Sequence, residues 1–258
     1  MASLAGAAPR RSAGAEERFF MTAAVAMAIV IVAGFSLNAA MGRSSFAAPI
    51  SVHVHALLFM GWLGLYLVQN MLVATGNVAV HRRLGWLSAV WIPAMVAAAL
   101  YVIVAMVRRG GVPFFFTPLY FLVMDVLILA TFVGLSVAAI RLRRRTDWHR
   151  RLMFCAMAVF TGNGLGRLLP MPLLIPWAGE AAVAASLAFP IWGMLSDRRR
   201  RGRVHPAWLW GIAAIVGGQV AGEAFVRTPL GTSLYAWVAA GSPGAKVPAT
   251  AYPAPPLA

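Results

Sequence analysis

The stretch "FFFTPLYFLVMDVLILATFVGLSVAAI" (Phe114–Ile140) holds a single charged residue, Asp125, in 27 positions. A run of that length exceeds the roughly 20 apolar residues that carry a helix across about 30 Å of hydrocarbon. A soluble core helix would break it with a polar face. Six further runs of similar character lie at Phe19–Met41, Ile50–Gly76, Trp86–Val107, Leu152–Leu169, Ala178–Ser196 and Ala207–Phe225. The expected fold is therefore an all-α polytopic bundle of about seven transmembrane spans. Composition agrees, since 61% of the 258 residues are hydrophobic and 11% charged, whereas soluble domains carry about a quarter charged residues. A membrane barrel would show short alternating segments instead.

The formal net charge of +15 is distributed in a way that selects one explanation. Sixteen arginines (10, 11, 18, 82, 83, 141, 143, 144, 145, 150, 151, 198, 199, 200, 201 and 203) fall on the side of the N-terminus. Arg43, Arg108, Arg109, Arg167, Arg227 and Lys246 fall on or toward the other. This bias predicts a cytoplasmic N-terminus and, with an odd number of spans, a C-terminus outside. The basic surplus is thus assigned to topology and lipid headgroups, and nucleic acid is not an expected partner. Residues 1–18 are read as a cytoplasmic segment, 19–240 as the seven-helix domain, and the Pro/Ala-rich 241–258 as a flexible tail. The first apolar run is too long for a signal-peptide core, so it is expected to remain as a helix. The lone Cys155 lies within a span and carries no compartment signal.

Asp125 stands near the bilayer centre, where insertion scales charge an exposed carboxylate about 2.5–3.5 kcal/mol. It must face protein, water or a partner, in ionised or protonated form. Arg167, in the outer half of span five, and Glu180 and Glu223, at the outer ends of spans six and seven, are placed with it as one candidate polar cluster. Histidines form the second group of candidates, for haem or metal. His53 and His55 open span two on the outer side, but two residues apart on a helix they point about 200° from each other. His81 and His149 lie in two inner loops that could bring imidazoles to opposite faces of one haem, with Arg82, Arg83, Arg150 and Arg151 meeting its propionates or anionic headgroups. Haem b is accordingly the candidate cofactor. Gly162 with Gly166, and Gly218 with Gly222, are spaced for close helix packing. The sequence contains no HExxH, GxSxG or P-loop motif, which removes hydrolytic and nucleotide-driven chemistries from the front rank.

The words "HRRLG" (His81–Gly85) and "HRRLM" (His149–Met153), with Arg167 in "GRLLP" 18 residues after the second histidine, resemble a bacterial family of multi-pass membrane proteins of unknown function. The resemblance covers roughly spans two to five and implies a bacterial inner-membrane location without implying a reaction. More loosely, helix hairpins with histidines at their ends look like cytochrome b-type haem carriers, which would imply electron transfer. This chain departs from them, because no two histidines lie well inside facing spans. Three functions follow as expectations: a haem-binding or electron-transfer protein, a small-solute or proton transporter or sensor, and a non-catalytic accessory subunit of a membrane complex.

Overall fold

The computed structural model describes residues 10–255, with side chains from residue 14 onward, so the first nine residues of the N-terminal segment and the last three of the tail lie outside it. Among the described residues all regular structure is helical: α1 (Arg10–Ala40), α2 (Ile50–Ala74), α3 (Val78–Gly85), α4 (Ser88–Arg109), α5 (Pro118–Arg141), α6 (Thr146–Leu168), α7 (Ala178–Ser186), α8 (Ala188–Arg201), α9 (Pro206–Val226) and α10 (Pro229–Ala239). Helices α7 and α8 run nearly end to end across residues 178–201 and together form one crossing. Pro190, in the first turn of α8, lacks the N–H that would otherwise bond to residue 186, which accounts for the break at Leu187.

Among the described residues six segments are long and apolar enough to cross a membrane: α1, α2, α4, α5, α7–α8 and α9. The seventh of the expected spans, α6, does not qualify by composition, yet it is the centre of the bundle. Helices α1, α5, α7 and α9 all pack on it, and between Arg151 and Thr161 only Met153 is not buried. A helix surrounded by protein has no need of a lipid-compatible surface, so charged and small residues are tolerated in it. The seven helices alternate in direction. We call the side that carries the N-terminus of α1 the basic face and the other the opposite face.

Small residues set the closest crossing. A Cβ added at Gly164 of α6 would lie 2.8 Å from Ile31 Cα of α1, so the two backbones touch there. The tight contact thus belongs to the middle glycine of "GNGLG" and not to the expected pair, since a Cβ at Gly162 would sit 3.6 Å from the Ala182 carbonyl. The expected Gly218–Gly222 ridge does meet α5, within 2.7 Å of Thr131 Oγ1 and 3.2 Å of Leu127 Cδ1 for Cβ atoms added there.

The tail departs from the expectation of a free segment. Leu119 N–H donates to the Ala249 carbonyl at 2.9 Å, Tyr235 Oη donates to the Gly244 carbonyl at 3.0 Å, and Gly244 is buried against α4. Helix α10 and residues 241–249 therefore cap the opposite-face ends of α4 and α5. Arg108 helps by donating to the carbonyls of Val238 and Ala240 at 2.9 and 3.0 Å.

Candidate functional site

An aromatic knot fixes the depth of the intramembrane polar residues. Phe132 of α5 packs against Phe160 of α6 with ring centroids 4.3 Å apart, and Phe59 of α2 meets the same Phe160 at 5.1 Å. Helices α5 and α6 are antiparallel neighbours, and seven residues is two helical turns, about 10 Å. Asp125 is seven residues from Phe132 toward the opposite face, and Arg167 is seven from Phe160 toward that same face. The two therefore lie at one depth on facing sides, and their charges interact. His55 is one turn from Phe59 in the same direction, stacks on it at 4.3 Å, and feels Arg167.

Arg167 is held without an acid. Its guanidinium lies 3.9 Å from the centroid of the Phe35 ring and donates to the Asn163 carbonyl at 2.6 Å. Arg167 Nε and His55 Nδ1 are buried and without hydrogen-bond partners. Among the described residues Asp125 makes no direct ion pair. An acid, an imidazole and a guanidinium thus converge in one half of the membrane with open hydrogen-bonding capacity, which is costly unless it serves a ligand or a proton.

The other expected members of that cluster separate from it. Glu180 opens α7 and Glu223 closes α9, and both line a cavity at the opposite face together with Tyr120. His53 stays at the end of α2, where its Nε2 donates to the Phe46 carbonyl at 3.1 Å.

On the basic face the histidines of the repeated word do meet. The rings of His81 and His149 are 6.2 Å apart between centroids and inclined by 79°. His149 Nδ1 donates to the Ala139 carbonyl at 2.9 Å, leaving Nε2 with the lone pair. With the Gln69 amide assigned so that its oxygen accepts from Gly85 N–H at 3.0 Å, its NH2 faces His81 Nδ1 and the His81 carbonyl. The pair forms a junction that ties α3 to the start of α6. Burial lowers the pKa of both rings, and the neighbouring His149 lowers that of His81 further.

The four arginines expected at headgroups or propionates divide. Arg82 and Arg83 are exposed. Arg151 is not available to a headgroup: it is fully buried and donates through Nε and Nη2 to both oxygens of the buried Asp197, at 2.8 and 2.7 Å, with Nη2 also reaching Glu16 Oε1 at 2.7 Å. Trp208 Nε1 donates to Asp197 Oδ2 at 2.8 Å. Arg150 closes the outer edge of this network on Glu16 and Asp147, at 2.9 and 2.6 Å. Burial opposes ionisation of Asp147, but the bond and charge of Arg150, with Arg201 and Arg151, bring its pKa down to about 2. Sequence reasoning singled out neither Glu16 nor Asp197, and it read Trp208, which is fully buried, as an interfacial tryptophan.

Comparison of the chain with protein-family models, with curated proteins and with solved structures found no match. The functional reading therefore rests on the geometry.

Proposed function

We propose that this multi-pass membrane protein is a proton-handling transporter or sensor, with Asp125 as the proton-carrying group, Arg167 as its counter-charge and His55 as the exchange point toward the opposite face. The observation that carries the reading is that Asp125 and Arg167 lie at one depth with His55 about one turn nearer the aromatic knot, all in the same half of the membrane, and that His55 Nδ1 and Arg167 Nε are unpartnered. Ionisable groups inside a bundle that are not neutralised by one another are the usual material of proton relays and solute sites. The arginine bias supports a cytoplasmic basic face in a bacterial inner membrane.

The test is proton flux in proteoliposomes, read with an entrapped pH-sensitive dye after an external acid jump. The native chain should acidify the lumen, and Asp125→Asn should abolish the flux with the melting temperature unchanged. Flux that survives in Asp125→Asn rejects the assignment. An absorption spectrum separates the electron-transfer alternative: a Soret band that disappears in His81→Ala would favour haem over a proton relay.

A further inference from the structure

The chain has seven carboxylates. Glu16, Glu17, Asp147 and Asp197 lie at the basic face and Asp125 lies within the membrane. The remaining two, Glu180 and Glu223, come from different helices and line one cavity of about 190 Å³ at the opposite face. Arg227 and five aromatic rings, Phe115, Phe116, Tyr120, Trp177 and Tyr252, line it with them.

Its charges do not balance. Arg227 pairs with Glu223 at 2.8 Å, and Gln219 donates to Glu223 Oε1 at 3.2 Å and to Tyr120 Oη at 2.8 Å. Glu223 is thereby satisfied. Glu180 lies within hydrogen-bonding reach of it, and Glu180 Oε2 is buried with no other partner. With both carboxyls ionised, as at alkaline pH, two carboxylates face one guanidinium and leave a deficit of one positive charge. Ring faces attract cations, more strongly once water is displaced, and the volume is below the roughly 300–1,000 Å³ of drug-sized sites.

We infer that this cavity binds a small organic monocation, an alkylammonium whose nitrogen sits against Glu180 among the rings. The site is distinct from the proton-handling cluster. Tyr120 and Asp125 are five residues apart on α5, so they point about 140° from each other. The inference does not depend on the role of Asp125.

Isothermal titration of the full chain in detergent at pH 8, with methylammonium and with choline, tests it. At least one of the two should bind saturably at a single site. For choline, the uncharged isostere 3,3-dimethylbutan-1-ol should bind at least tenfold more weakly, and for either cation Glu180→Gln should cost at least tenfold. Trp177 is 63% exposed, so Trp177→Ala should keep the fold and should weaken binding if Glu180→Gln does not fold. Asp125→Asn should bind as the native chain does, whatever its flux. The inference is overturned if neither cation saturates, if the neutral isostere binds as well as choline, if a folded Glu180→Gln binds normally, or, where Glu180→Gln does not fold, if Trp177→Ala binds normally. A higher melting temperature in Glu180→Gln without any cation binding would also overturn it, by showing that the two carboxyls share a proton.

Discussion

Arg151 shows how much of a side chain's role is decided by partners remote in sequence. Its neighbour Arg150 has the same local context and remains part-exposed, whereas Arg151 is enclosed by Glu16, 135 residues away, and Asp197, 46 residues away. Local periodicity carries no trace of such pairs, which is why both arginines read as membrane anchors. One signal was present: adjacent helical positions differ by about 100°, so two arginines opening a buried helix cannot both face water. Removing one partner of a buried pair typically costs about 3–5 kcal/mol, because the other charges are left uncompensated. Arg151→Ala should therefore lower the melting temperature sharply, and Arg151→Lys should rescue little, since an ammonium cannot span both oxygens of Asp197. The imidazoles give a pH signature. His81 and His149 are held neutral, with native values below the ordinary 6.5, so stability is intact above that value and falls as pH drops below it. Melting between pH 8 and 5 should show the decline, and His81→Gln should make it shallower, with His149 accounting for what remains. Asp147 titrates near pH 2 and contributes nothing to that window.

Among elements, the crossing of α1 and α6 is the most sensitive. Gly164→Ala drives a methyl into the α1 backbone, and overpacking of that kind costs about 1–3 kcal/mol. Gly162→Ala meets only ordinary contact distances and should melt like the native chain, so the two variants, compared by thermal denaturation, separate close packing from loss of helix flexibility. The long helices were legible because 20-residue apolar runs leave few alternatives in lipid. Helix α10 was not. Its 11 residues are too short to span, and its buried positions Gly231, Tyr235 and Val238 acquire meaning only once α4 and α5 are beneath them. The docking of the tail escaped notice for the same reason, since its anchors are backbone carbonyls that any sequence possesses.

For the molecule as a whole, composition sufficed to place the chain in a bilayer, and charge asymmetry sufficed to orient it as an expectation. Tags on the two termini should be accessible from opposite sides of sealed cells; a shared side would remove α6 or α7–α8 from the count of crossings. The candidate site was legible in part: Asp125 and Arg167 stand out as charges in apolar runs, but His55 joins them, and Glu180 and Glu223 leave them, for reasons of helix rotation alone. The central position of α6 bears on how the protein is made. Its arginine finds Glu16 in a helix synthesised earlier, but Asp197 and Trp208 emerge from the ribosome only afterwards. A nascent chain that has reached residue 175 thus holds a poorly greasy segment with half its neutralising company still untranslated, and the insertion machinery must shelter that segment until the last two crossings arrive.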